Sequence, residues 1–179
     1  MFPAQALAEE MLARGWRVQL ATDPRGLRYA DGFPEAVERV ALRSASYRRG
    51  GLLARLLAPL QILAGIREAI ARFSADPPDC VAGFGGYPAL PALAAAWRLG
   101  LPRVIHEQNA VLGRVNRLFA GRVHRVACGT WPVTNAPNGA SLIHVGNPVR
   151  NAVLAAAEKA YETADDGPIN LLVFGGSHG

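Results

Sequence analysis

Hydrophobic positions along the chain switch repeatedly between helical and strand-like spacing. Near the start, Ala4, Leu7, Ala8, Met11 and Leu12 recur every three or four residues, which predicts a helix over residues 3–14. Short apolar runs bounded by turn residues predict buried strands. These runs cover residues 17–22, 37–42, 79–82, 103–106, 125–128, 142–145 and 169–174.

Helical spacing fills most of the intervals between these runs. The predicted helices cover residues 52–73, 88–99, 112–119 and 151–161, and the first of them is broken or kinked near Pro59. Strands that alternate with helices predict an α/β fold with a doubly wound parallel sheet. The chain opens on a helix, although the helix of a βαβ unit follows a strand, so we expect the first unit to be incomplete.

Two polar segments follow neighbouring predicted strands. Residues 83–88 read Gly-Phe-Gly-Gly-Tyr-Pro, and residues 106–109 read His-Glu-Gln-Asn. Ligands bind at the carboxyl ends of strands in open α/β sheets, so this pair predicts a binding site. The glycine segment is either a structural turn or a loop whose N–H groups approach a phosphate. It is not a dinucleotide fingerprint, because Pro88 replaces the last glycine.

The other polar segments leave similar alternatives. Residues 106–109 place an acid/base pair and two amides on one turn, which is either a hydrogen-bonded loop or a reactive site. The final Gly-Gly-Ser-His-Gly, at 175–179, follows an apolar run and is a second candidate anion loop. No Cys/His spacing typical of zinc sites is present, so we predict no metal.

The amino-acid composition gives the chain a net positive charge but does not identify the binding partner. The net charge is +5, almost all of the basic residues being arginine, and it suits nucleic acid, an anionic membrane or a phosphate-rich substrate equally. Cys80 and Cys128 lie in apolar surroundings and are predicted to be reduced core thiols of a cytosolic protein. The sequence shows neither a signal peptide nor an apolar run of about 18 residues that would span a bilayer.

The helix predicted from Leu52 to Phe73 has two interpretations. In the first, it faces the core and its arginines extend into water. In the second, its wide apolar stripe docks on a membrane surface, together with the nearby basic residues. Each basic residue near an anionic bilayer contributes roughly 1 kcal/mol, so the cluster is large enough to hold the protein there. These residues are Arg43, Arg48, Arg49, Arg55, Arg67 and Arg72.

Four motifs together resemble one bacterial family. They are Phe-Gly-Gly-Tyr at 84–87, His-Glu-Gln-Asn at 106–109, Gly-Asn-Pro-Val-Arg at 146–150 and Gly-Gly-Ser-His-Gly at 175–179. Their order and spacing resemble the undecaprenyldiphospho-muramoylpentapeptide β-N-acetylglucosaminyltransferases, which add N-acetylglucosamine to lipid I to make lipid II in peptidoglycan synthesis. The likeness covers essentially the whole chain.

The resemblance implies a GT-B fold, in which two Rossmann-like domains face each other across a cleft. It also implies an inverting, metal-independent transferase without a cofactor. The chain would then comprise an acceptor-binding N-terminal domain at 1–147, an interdomain linker and helix at 148–167, and the first strand and loop of a donor domain at 168–179. His178 stands where the family usually has glutamine.

The resemblance also implies missing parts. The family's first strand, its glycine-rich loop ending in His and most of its donor domain have no counterpart in the sequence. That strand would sit in the middle of the sheet, so we expect two unpaired strand edges. We expect the isolated chain to have no transferase activity.

Site residues follow from the resemblance position by position. Glu107 is the hypothetical base or base-orienting group, with His106 beside it as a second catalytic candidate. Asn109, Arg150, Gly176 and Ser177 correspond to positions that contact UDP-N-acetylglucosamine, and Gly85, Gly86 and Tyr87 to the loop facing the lipid diphosphate.

The resemblance favours the membrane interpretation of the 52–73 helix. The partners expected are UDP-N-acetylglucosamine, lipid I and the cytoplasmic face of the inner membrane, where the protein would be peripheral, with no role for nucleic acid. Two alternatives stay open. One is a non-catalytic, membrane-associated module that binds polyprenyl diphosphates, and the other is a different GT-B enzyme such as a UDP-sugar epimerase.

Overall fold

The computed structural model describes residues 1–44, 52–158 and 171, and the side chains of residues 52–56 are not described. The predicted loop that contains Gly176 and Ser177 therefore lies outside the described residues, as do Arg48, Arg49 and all of the 169–174 strand except Leu171. The helices are α1 Phe2–Ala13, α2 Pro24–Leu27, α3 Leu52–Ala75, α4 Leu90–Arg98, α5 Arg114–Phe119 and α6 Asn151–Ala157. The strands are β1 Gln19–Thr22, β2 Glu38–Ala41, β3 Val81–Gly83, β4 Arg103–Glu107, β5 Arg125–Cys128 and β6 Leu142–His144.

All strand pairs are parallel, as the alternating pattern predicts. One sheet has the order β1-β2 and the other has the order β3-β4-β5-β6. Within the described residues, β1 pairs only with β2 and β3 only with β4. The prediction of two unpaired strand edges is therefore confirmed, and the strands form two sheets in place of one.

Helices cover both faces of β1, which confirms the double winding. Leu20 packs into a small cluster with Ala8 of α1 and Phe33. Its neighbour Ala21 packs against the main core, which contains Ala69 of α3 and Leu93 of α4. Successive strand side chains point to opposite faces, so α1 lies on one side of β1 and the α3–α4 layer on the other.

Helix α3 rests on α4 and on the segment that follows β2 through a face of small residues. Ala58 and Ala69 are fully buried, and a side chain at Gly65 would overlap the carbonyl oxygen of Arg43. The helix continues through Pro59, where a break or kink was predicted. A proline removes one intrahelical hydrogen bond, and the packing of the small-residue face stabilises the helix despite that loss. Within residues 1–44, 52–158 and 171, no helix is long and apolar enough to cross a membrane.

Two sequence predictions are wrong in detail. Cys80 is exposed, because it lies in the turn before β3 begins and not on the buried strand, whereas Cys128 is buried as predicted. A short 3₁₀ turn, Tyr87–Ala89, precedes α4, because Pro88 suits the first turn of a helix but supplies no N–H.

Candidate functional site at the carboxyl ends of the strands

The carboxyl ends of β4, β5 and β6 are joined by short polar contacts. The N–H of Gly129, which follows β5, donates to the carbonyl oxygen of Glu107 at 2.7 Å. His106 Nε2 lies 3.1 Å from the carbonyl oxygen of Gly146, which follows β6. A side chain at Gly129 would overlap the amide of Asn147, so the glycine lets this amide pack directly against the backbone after β5. The 106–109 and 146–150 motifs are thus neighbours in space.

Glu107 anchors this end of the sheet. Its side chain is 2% exposed and accepts four hydrogen bonds. Oε1 accepts from the backbone N–H of Asn109 at 3.1 Å and from Asn109 Nδ2 at 3.0 Å. Oε2 accepts from the N–H of Gly113 at 2.9 Å and from Asn116 Nδ2 at 2.8 Å. Both oxygens are occupied, so this arrangement favours an orienting role over proton abstraction.

His106 is buried beside Glu107 and its two ring nitrogens also have partners. Gln108 Nε2 lies 2.9 Å from Nδ1, and an amide NH₂ only donates, so Nδ1 accepts. Nε2 then carries the proton and donates to the carbonyl oxygen of Gly146. The ring of Phe84 lies 5.7 Å from the imidazole, centroid to centroid. These contacts of His106 tie the end of β4 to the segment after β6.

The glycine loop after β3 lies against the same cluster. Gly85 and Gly86 have φ angles of +78° and +73°, a conformation that side chains disfavour. A Cβ on Gly85 would lie 3.1 Å from Asn116 Nδ2, so the loop passes directly over that carboxamide. Gly86 is exposed, and Tyr87 is half-buried against the main core. The loop therefore exposes the backbone of Gly86 to solvent just before the segment that leads into α4.

The residues predicted to contact the UDP-sugar are only partly brought together. Asn109 is exposed, and its amide is fixed by Glu107. Arg150 instead stacks on the ring of Phe2, with its guanidinium carbon 4.1 Å from the ring centroid. Next to it, the N–H of Asn151 donates to Glu9 Oε2 at 3.0 Å. The described contacts of Arg150 are therefore with α1 and the start of α6.

Asn116, Gly113 and Gly129 belong to the site but were not predicted from the sequence. Asn116 is buried between Val115 and Phe119 on the inner side of α5. A polar residue on the apolar side of a predicted helix was the available signal, because a buried amide needs hydrogen-bond partners. Nothing in the sequence marks Gly129, whose role depends on a side chain 18 positions away.

The thiol at this end of the sheet is unreactive. Burial raises the pKa of Cys128, and the nearby Glu107 carboxylate shifts it in the same direction, against the lowering effect of a hydrogen bond with the Ile143 backbone. The thiol therefore stays protonated at neutral pH and does not serve as a nucleophile. Within the described part of the chain, no group of three or more His, Cys, Asp or Glu side chains is arranged to hold a metal ion.

Comparison with known proteins assigns this arrangement to a family. Residues 1–128, more than two thirds of the chain, match the glycosyltransferase family 28 N-terminal domain. The chain belongs to glycosyltransferase family 28. The family 28 match includes the glycine loop, the 106–109 motif and β5.

Relatives and a solved structure extend the likeness of this family 28 chain. A Caulobacter vibrioides protein described as UDP-N-acetylglucosamine--N-acetylmuramyl-(pentapeptide) pyrophosphoryl-undecaprenol N-acetylglucosamine transferase is 52% identical over 182 residues, covering 100% of this chain and 50% of its own length. A Maricaulis maris protein of the same description is 48% identical over 183 residues, covering 100% and 49%. The crystal structure of Acinetobacter baumannii MurG aligns with a TM-score of 0.67 and 29% identity, over 90% of this chain and 46% of that one.

These matches confirm the family resemblance and the α/β fold of an N-terminal glycosyltransferase domain. The chain spans about half the length of the curated relatives it matches.

Proposed function

We propose that this chain is the acceptor-binding half of an enzyme that transfers N-acetylglucosamine from UDP-N-acetylglucosamine to the C4 hydroxyl of the muramoyl sugar of lipid I. The observation that carries the proposal is the convergence of the glycine loop, the Glu107 network and the Gly146 segment at one end of the parallel sheet. The names of the relatives support the choice of donor and acceptor.

The proposed reaction is a single displacement at the anomeric carbon with inversion. Backbone N–H groups of Gly85 and Gly86, with Tyr87, would receive the lipid diphosphate where the loop leads into α4. Glu107 would orient Asn109 and the ends of the strands, because its oxygens already have four donors. His106 would hold the 146–150 segment in place.

The donor would lie on the facing side of the cleft. Asn109, Arg150, Gly176 and Ser177 are proposed as its contacts from this chain, and Arg150 would have to leave the Phe2 ring to reach it. The domain boundaries follow the same scheme, with the acceptor domain at 1–147, the linker and helix at 148–167, and the start of the donor domain at 168–179.

We also propose that α3 docks on the inner face of the plasma membrane, where lipid I resides. Three leucines remain exposed beside its buried face: Leu57 is 42%, Leu60 64% and Leu63 42% exposed. The basic side chains of Arg67 and Arg72 are exposed on the same helix. Apolar side chains flanked by arginines suit the boundary between acyl chains and anionic head groups.

Replacing Leu57, Leu60 and Leu63 by glutamine should abolish co-flotation of the chain with vesicles rich in phosphatidylglycerol. Each leucine that enters the acyl region contributes roughly 1.5–3 kcal/mol by burial, so losing three removes most of the attraction. The matched control is Leu118→Gln, since Leu118 is 51% exposed on α5. Equal flotation of the triple variant and the control would exclude α3 as the docking element.

The isolated chain should transfer no N-acetylglucosamine when given UDP-N-acetylglucosamine and a short-chain lipid I analogue, because relatives of the same description are about twice as long. The measurement is release of UDP and formation of labelled lipid II. Measurable transfer by the isolated chain would contradict the proposal that it is only the acceptor-binding half of the enzyme. Epimerisation of the donor without lipid I would favour the UDP-sugar epimerase alternative.

A further inference from the structure

Asn116 is a buried amide whose bonding is incomplete. Its side chain is 2% exposed, and Oδ1 has no hydrogen-bond partner within the described residues. Buried polar atoms are nearly always paired, because an unpaired one loses its hydration without compensation. An amide on this side of α5, between the buried side chains of Val115 and Phe119, therefore indicates a function for its donor group.

That donor group joins α5 to the end of β4. Asn116 Nδ2 donates to Glu107 Oε2 at 2.8 Å and to the carbonyl oxygen of His106 at 3.2 Å. Of the four hydrogen bonds to the Glu107 carboxylate, this is the only one from a side chain outside the 106–109 turn. Without it, Oε2 keeps only the N–H of Gly113.

The same carboxamide supports the glycine loop. A Cβ on Gly85 would lie 3.1 Å from Nδ2 and 3.3 Å from Oδ1, so the backbone of Gly85 rests on the amide with no side chain between them. One flat, neutral group therefore touches the loop after β3 and the carboxylate at the end of β4. A shift of either element displaces the amide and hence the other element.

We propose that Asn116 is a positioning residue that holds the glycine loop at 83–86 and the Glu107 carboxylate in one fixed arrangement. The role of the loop rests on the proposed function, in which the loop contacts the lipid diphosphate. Asn116 then fixes the position of those contacts relative to Asn109. It acts through Glu107 and Gly85 and does not touch the reacting atoms.

Substitution by aspartate separates this role from simple packing. Aspartate has the shape of asparagine but places a second carboxylate against Glu107 in a buried site. Two carboxylates in contact repel when both are charged, and a proton shared between them removes the repulsion and restores a hydrogen bond, so the variant should be more disturbed at high pH than at low pH. Leucine has a similar volume and no donor at any pH.

The test is amide hydrogen exchange, followed by NMR, in the 179-residue chain and in its Asn116→Asp, Asn116→Leu and Asn138→Asp variants. Asn138 lies on an exposed turn and controls for the added charge. After correction for the intrinsic pH dependence of exchange, two amides should lose protection about tenfold or more in Asn116→Asp near pH 8 and recover it near pH 5.5. They are the Gly113 amide, which donates to Glu107, and the Ala89 amide, which donates to the carbonyl oxygen of Gly86 in the glycine loop. Asn116→Leu should lose protection at both pH values, and Asn138→Asp at neither.

Protection in Asn116→Asp that matches the unsubstituted chain near pH 8, or that is lost equally at both pH values, would overturn the proposal. If the variant unfolds near pH 8, recovery of the native NMR spectrum near pH 5.5 in Asn116→Asp but not in Asn116→Leu supports it, and no recovery overturns it. The readout needs no transfer activity. The hydrogen-exchange result therefore does not depend on the proposed function. A failure of the Asn116 proposal can be distinguished from a failure of the proposed function.

Discussion

Replacing Glu107 by glutamine is expected to destabilise the chain by about 3 kcal/mol, because it leaves buried donors facing an NH₂ group. Four donors converge on the carboxylate, and a glutamine amide has only one oxygen to accept them. The measurement is urea unfolding followed by circular dichroism, in which the midpoint should fall while the slope is unchanged.

The control for this variant is Glu10→Gln. Glu10 forms an exposed ion pair with Arg14 on α1, and such pairs contribute little in water. Equal unfolding midpoints for the two variants would show that the Glu107 network does not hold the ends of the strands. In a completed enzyme, unchanged turnover of Glu107→Gln would also remove Glu107 from the catalytic arrangement altogether.

Gly65→Ala is expected to cost about 3 kcal/mol or more, since an added methyl group meets backbone and not a movable side chain. The Cβ would overlap the carbonyl oxygen of Arg43 and lie 3.3 Å from Pro91 Cγ, where α3 crosses the end of β2 and the start of α4. Thermal unfolding should show a drop of several degrees in Tm, about 2–4 °C for each kcal/mol in a chain of this size.

Gly121→Ala is the matched control, because a Cβ there meets no atom within 4 Å and its φ is not in the left-handed region. Its Tm should match that of the unsubstituted chain. A Tm for Gly65→Ala that equals the control value would mean that α3 does not pack against Arg43 and α4 as described, and the position of the exposed leucines would then lose its basis.

Local features of the fold were predictable because their causes are local. The helical spacing from Ala4 to Leu12 and the apolar run at Arg125–Cys128 correspond to α1 and β5 within a residue. The parallel arrangement followed from the alternation of strands and helices. Exposure of Cys80 was not predictable, because its apolar neighbours look the same whether the strand begins at the cysteine or one residue later.

The candidate site was predictable in its motifs but not in its bonding. The 106–109 segment was found from its position after a strand. The saturation of the Glu107 carboxylate, however, depends on Gly113, which caps the next helix, and on Asn116 within that helix. The contact of Arg150 with Phe2 joins opposite ends of the described chain. Such contacts depend on tertiary packing, which residue spacing along the sequence does not encode.

The most direct test of the central claim is a hybrid enzyme. Residues 1–179 replace the aligned half of the Caulobacter vibrioides relative, to which they are 52% identical, and the rest of that protein is retained. The measurement is transfer of labelled N-acetylglucosamine from UDP-N-acetylglucosamine to a short-chain lipid I analogue. The proposed function predicts labelled lipid II from the hybrid and none from the isolated chain. A folded hybrid that binds both substrates and forms no lipid II would contradict it.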